Sequence, residues 1–158
     1  RSLNMQVFIA GPRTISRLEP ELLKHLDTLI DNGYTILIGD SIGIDKVVQE
    51  YLAARQYKKV KIYASNGIAR VNIGGWDVMK IKVPADKKGF AFYAAKDLAM
   101  ADEADYGIMV WNGSSKGTLN NFLNMARLGK KVLVYYTPDR KFHVMQSLED
   151  IKKLYLNH

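Results

Sequence analysis

Short apolar runs alternate with segments of helical periodicity along this chain, which leaves few architectures open to it. Gln6-Val7-Phe8-Ile9-Ala10 reads as a buried strand, and Gly11-Pro12 ends it because proline cannot donate to a sheet ladder. From Ser16 to Asn32 the apolar positions Leu18, Leu22, Leu23, Leu26, Leu29 and Ile30 follow helical spacing, and Asn32-Gly33 supplies a stop. The sequence then repeats this strand-and-helix cycle. Strands are expected at Tyr34 to Ile38, Val60 to Tyr63, Tyr106 to Trp111 and Lys131 to Tyr136. Helices are expected at Asp45 to Tyr57, Gly89 to Ala104 and Leu119 to Leu128, with a last one starting near Ser147, where Ser147 and Asp150 stand at capping-box spacing. Alternating elements of this kind build right-handed βαβ units, so the expected fold is α/β, a three-layer Rossmann-like arrangement with a mainly parallel sheet of about five strands. Ligand sites in such sheets lie beyond the carboxyl ends of the strands.

The 158 residues, 47% of them hydrophobic, suit a single domain spanning residues 1–158. Arg1 to Asn4, ahead of Met5, read as a possible cloning remnant. Residues 64–89 contain four glycines, one proline and Trp76 without regular periodicity, and are expected to be an irregular insertion or a lid. No cysteine is present, which excludes disulfides and thiol chemistry. No apolar run approaches the ~18 residues of a membrane span, and the start lacks the pattern of a secretory signal. The expectation is a soluble, cytoplasmic protein with no membrane partner. His25, His143 and His158 have no metal-ligand spacing, so no metal is expected. No cofactor is expected either. The net charge of +7 favours anionic partners, but the basic residues are scattered rather than gathered in a stripe.

One segment carries a more specific signal. Between an expected strand and an expected helix lies Gly113-Ser114-Ser115-Lys116-Gly117-Thr118. Its glycines allow N–H groups to turn inward, its hydroxyls add donors, and the helix that follows presents its positive end there, so a phosphate or carboxylate fits. Neither the Walker A spacing nor the Gly-x-Gly-x-x-Gly fingerprint is present, and a purely structural turn capped near Thr118 is the competing reading. After the first strand, Gly11-Pro12-Arg13 offers close backbone approach and a guanidinium fork suited to an anion. After the second, Gly39-Asp40-Ser41-Ile42-Gly43-Ile44-Asp45-Lys46 places two carboxylates where ribose hydroxyls bind in dinucleotide folds, although Asp45 also suits a helix start. Trp76, Tyr93 and Trp111 are candidates to stack on a base, Trp111 foremost because it adjoins the phosphate loop.

These segments, taken in order from Met5 to about Tyr136, resemble the SLOG superfamily, in particular its YspA-like branch, related to the cores of DprA, the LOG enzymes and nucleoside 2-deoxyribosyltransferases. Gly11-Pro12-Arg13 is similar to that branch's Gly-Ser-Arg, and Gly39 with Gly43-Ile44-Asp45-Lys46 to its glycine-rich turn ending in Gly-x-Asp and a basic residue. Lys96-Asp97-Leu98-Ala99-Met100 resembles its Arg-Asn-x-x-Met with two side chains changed, and Gly117-Thr118 matches its closing Gly-Thr. The resemblance implies a nucleotide or nucleotide-derived ligand such as a nucleoside phosphate or ADP-ribose, held by Gly11, Pro12, Arg13, Gly39, Asp40, Asp45, Lys46, Trp111, Gly113, Ser114, Ser115, Gly117, Thr118 and Asn120. It also implies self-association as a homo-oligomer. Related enzymes cleave N-glycosidic bonds with a glutamate shortly after the Gly-Thr, where this chain has Leu119-Asn120-Asn121. An amide cannot act as a carboxylate nucleophile or base, so binding is favoured over hydrolysis, with Asp45 the candidate for a displaced catalytic acid. Binding of single-stranded nucleic acid, as in DprA, is the other alternative.

Overall fold

The computed structural model describes residues 4–66 and 68–157. Arg1 to Leu3 of the expected cloning remnant and His158 lie outside the described residues. The described residues form an α/β fold of the Rossmann-like kind: β1 (Gln6–Ala10), α1 (Pro20–Asn32), β2 (Thr35–Gly39), α2 (Ile44–Ala54), β3 (Val60–Ser65), β4 (Asp77–Ile81), α3 (Gly89–Glu103), β5 (Tyr106–Trp111), α4 (Lys116–Arg127), β6 (Val132–Tyr136), β7 (Lys141–Met145) and α5 (Leu148–Asn157). The sheet has seven strands rather than five, in the order β4-β3-β2-β1-β5-β6-β7, and all pairs are parallel except β6 with β7.

Successive residues of a strand face opposite sides, and here both sides are covered. Val7 and Ile9 of β1, Ile36 and Ile38 of β2, and Ile108 and Val110 of β5 pack with Leu22, Leu26 and Leu29 of α1 and Ile44, Val48 and Leu52 of α2. Their neighbours Phe8, Leu37, Met109 and Trp111 face the other way, against Met100 and Ala101 of α3, Phe122 and Met125 of α4, and Ile151 and Leu154 of α5. No helix among the described residues is long and apolar enough to cross a membrane.

The two additional strands explain where the sequence pattern lapsed. The described residues of the 64–89 segment, expected as an irregular insertion or a lid, include a regular strand, β4, and a loop pinned by side chains. Gln49 bonds the Val71 carbonyl at 3.2 Å and accepts the Ile73 N–H at 2.9 Å, and Asn66 both donates to and accepts from Val83. Helix boundaries also move. Pro20 occupies the first turn of α1, where its missing N–H costs nothing, so residues 16–19 stay outside. Helix α4 begins at Lys116, three residues before the expected start, which makes the second half of the Gly113 to Thr118 segment helical. At α5 the Ser147 and Asp150 spacing does form a cap: the Asp150 N–H donates to Ser147 Oγ at 3.2 Å, and the Gln146 N–H to Asp150 Oδ2 at 2.9 Å.

Candidate functional site

Because β1 lies between β2 and β5, the chain leaving β1 turns to one face of the sheet and the chain leaving β5 turns to the other. A crevice opens between the two connections, as at other topological switch points. Here it is a cleft of about 670 Å³, within the usual range for small-molecule sites. Its walls are set by very close backbone packing. A side chain at Gly11 would collide with Ile44, 2.6 Å from its Cβ position, and the Ile44 N–H donates to the Pro12 carbonyl at 3.2 Å. The β1 loop is thereby held against the start of α2, with Arg13 and Thr14 exposed at the rim.

Charged groups crowd the floor. The Asp45 carboxylate and the Lys96 ammonium pass over the end of β2, where a Cβ on Gly39 would lie 2.7 Å from Asp45 Oδ2 and 3.0 Å from Lys96 Nζ. Asp45 is buried, and its Oδ2 accepts the Ser41 N–H at 3.2 Å. Burial pushes its pKa up to about 6; Lys96 pulls the other way, while Asp97 and Asp40 add repulsion. Lys96 is itself buried and bonds Asp97 Oδ1 at 3.0 Å. Burial disfavours its ammonium, yet the carboxylates of Asp97 and Asp45 hold its pKa above the ordinary lysine value. Burial likewise raises Asp97 against the pull of Lys96. Titratable groups perturbed together inside one cleft single it out as the candidate site.

Asp40 behaves differently. It is 3% exposed, and Arg70 closes on it with Nη2 at 2.8 Å, Nε at 3.2 Å and its backbone N–H at 3.0 Å. Burial alone would raise its pKa, but these bonds and the guanidinium charge hold it below the usual carboxylate value. Arg70 also lies over the Tyr93 ring, 4.7 Å from its centre. The pair forms part of the outer cleft wall beside Phe90.

At the opposite wall the segment Gly113 to Thr118 is partly occupied by its own turn. Asn112 Oδ1 accepts the N–H of Ser114 at 3.0 Å and of Ser115 at 2.9 Å, and Ser115 Oγ caps α4 by accepting the Thr118 N–H at 3.3 Å. What remains for an anion is the first turn of α4, where the N–H groups of Lys116 and Gly117 have no intrahelical acceptor. Beside Gly117 there is open space.

Of the residues singled out in the sequence, Gly11, Pro12, Arg13, Gly39, Asp45, Ser114, Ser115, Gly117 and Thr118 converge on this cleft. Five do not line it. Trp111 is 1% exposed, packed edge-on against Phe122 and stacked on Tyr155, with its indole N–H donated to the Ser115 carbonyl. It braces the loop from the core and is not free to stack on a base. Asp40 is consumed by Arg70, Lys46 is exposed on α2, Gly113 makes the turn at φ 88° against Tyr136, and on α4 it is Asn121, not Asn120, that reaches the cleft. Trp76 lies elsewhere, bonded to the Tyr57 carbonyl at 2.8 Å. The cleft residues that the sequence reading passed over are Ser41, Arg70, Phe90, Lys96 in its paired role, and Asn121.

No protein-family model matches the chain, and no curated protein matches it. Among solved structures it is similar to DNA processing protein A from Helicobacter pylori, a protein described for its single-stranded DNA binding mode, with a TM-score of 0.60 and 17% sequence identity. The likeness covers 83% of this chain, which spans 65% of that chain. At this identity it shows a shared Rossmann-like fold.

Proposed function

We infer that the cleft binds a nucleotide or nucleotide-derived ligand, in the manner expected of the YspA-like branch of the SLOG superfamily. The observation that carries this reading is the joining, in one cleft, of an anion-favouring helix start, a buried floor of polar side chains and an aromatic outer wall. A phosphate belongs at the first turn of α4, where the helix dipole and the free N–H groups favour negative charge, with the Arg13 guanidinium at the rim. It does not belong on the floor, where Asp45 and Asp97 would repel it. A base suits the wall of Phe90, Tyr93 and Arg70, which offers ring faces and a guanidinium plane.

Titration calorimetry with AMP, ADP and ADP-ribose tests the reading. At least one is expected to bind, and Gly117→Asp to weaken it tenfold or more. An aspartate in the first turn of a helix is favourable to the helix itself, so the variant should melt where the parent does while opposing the anion. If none of these compounds binds the parent chain, the reading fails.

N-glycosidic cleavage stands behind binding, because the positions after Gly117-Thr118 hold amides and the carboxylates of the cleft are Asp45 and Asp97, the latter engaged with Lys96. Binding of single-stranded nucleic acid is the second reading, favoured by the fold shared with a DNA-binding protein and by the net charge of +7. It predicts that a fluorescent oligonucleotide binds with an affinity falling steeply between about 50 and 200 mM salt. Absence of binding at the lower salt would remove it.

A further inference from the structure

The cleft floor holds more hydrogen-bond acceptors than the protein itself uses. Asn121, on the cleft side of α4, is 4% exposed, and its Oδ1 has no hydrogen-bond partner among the described residues. Its amide contributes a hydrogen bond that stabilises the Asp97 carboxylate, so the nitrogen faces that group. Exchanging the two amide atoms would set oxygen against carboxylate, and the orientation that leaves Oδ1 unpaired is therefore the favoured one. An unpaired acceptor at this depth disfavours the folded chain, and such a cost persists at sites that await a partner. Asp45 Oδ2 takes one N–H from Ser41, and Lys96 donates to Asp97. Asp45 and Asp97 thus share the Lys96 ammonium between them, and the Asn121 oxygen is left with no donor at all among the described residues.

Such a floor takes an uncharged group rich in hydroxyl or amine donors and rejects a phosphate, which offers only acceptors. Its place in the cleft narrows the choice. Asn121 follows Thr118 by three residues, about 4.5 Å along the helix axis from the anion-favouring first turn, while the aromatic wall stands at the mouth. With phosphate at one end and base at the other, the sugar lies between. Resting on the nucleotide reading above, we propose that Asn121 Oδ1, together with Asp45, accepts hydrogen bonds from the hydroxyl pair of a ribose, and that the cleft thereby selects ribonucleotides over 2′-deoxyribonucleotides.

A site built to bond a hydroxyl rejects the analogue lacking it, because its own acceptors are then left unpaired. Calorimetry with AMP, 2′-deoxy-AMP and IMP on the full chain reads this directly. AMP is expected to bind at least tenfold more tightly than 2′-deoxy-AMP, and about as tightly as IMP. Asn121→Leu, close in size, is expected to erase most of the difference between AMP and 2′-deoxy-AMP, while Asn121→Asp, which keeps an acceptor, retains a preference for AMP. Equal affinity of the parent chain for AMP and 2′-deoxy-AMP overturns the ribose assignment but leaves the nucleotide reading standing. Discrimination between AMP and IMP without any between AMP and 2′-deoxy-AMP overturns it in favour of a base amine. Failure of these three and of ADP and ADP-ribose to bind removes both readings together; where ADP binds and AMP does not, ADP against 2′-deoxy-ADP reads the ribose assignment in the same way.

Discussion

Gly43→Ala is expected to destabilise the protein by about 3–5 kcal/mol, combining left-handed backbone strain with overpacking. Gly43 caps the start of α2 at φ 82° and ψ −133°, a conformation that side chains disfavour. A methyl group there would stand 2.5 Å from the Cα and carbonyl oxygen of Arg13 and from the Pro12 carbonyl oxygen. These are backbone atoms, so no rotamer change relieves the clash. The β1 loop must move, and the Ile44 N–H loses its hold on Pro12. Gly75→Ala is the control. It carries a similar positive φ of 63°, but nothing lies within 4 Å of its Cβ position, so only the conformational term of about 1 kcal/mol applies. Chemical denaturation of both variants separates strain from contact. Equal losses would mean that the close approach of the two loops does not matter.

That approach illustrates how far this chain could be understood from its residues alone. Strands β1, β2, β5 and β6 were legible because strands covered on both faces are continuous apolar runs. Strands β4 and β7 were not. They are the edges of the sheet, mostly exposed or half-buried, and Asp77-Val78-Met79-Lys80-Ile81 mixes charge with apolar residues as an edge must. The loops of the cleft were legible where backbone chemistry decides, at Gly11, Gly39 and Gly113 to Thr118. The partnership of Asp40 with Arg70 was invisible, since thirty residues separate them and only the crossover into β4 brings them together. Lys96 sits inside a helical pattern where a lysine reads as solvated surface, and its burial follows from α3 packing on the sheet with this side chain reaching the end of β2 beside Gly39. Trp111 misled for the opposite reason: an aromatic beside a loop was read as a ligand platform, whereas the helix after that loop folds back over it. Asn121 had a usable signal, three residues beyond Thr118 and so on the same face of α4.

Asp45→Asn is expected to make the protein more stable at pH 8 by an amount on the order of 3 kcal/mol, and to change it little near pH 4. A carboxylic acid whose pKa rises from 3.8 to about 6 on folding holds its proton more tightly in the native state. Its contribution is therefore fully present below pH 3.8 and is lost as the pH rises through 6. Asp97, also raised by burial, acts in the same direction, whereas Asp40, lowered by Arg70, loses its contribution as the pH falls. Comparing the variant with the parent across pH cancels much of these other terms, because asparagine keeps an oxygen for the Ser41 N–H and removes only the charge. Thermal melts at several pH values should show two curves that meet near pH 4, part as the pH rises from there to about 6, and stay a constant distance apart above it, with the variant on top. If the variant is the less stable at pH 8, the attraction between Asp45 and Lys96 outweighs burial and the repulsion of Asp97 and Asp40. The expected result means instead that the fold carries a charged carboxylate at its own expense. Stabilising an exposed or purely structural residue would not require that; a cleft that must accept hydrogen bonds from a ligand does.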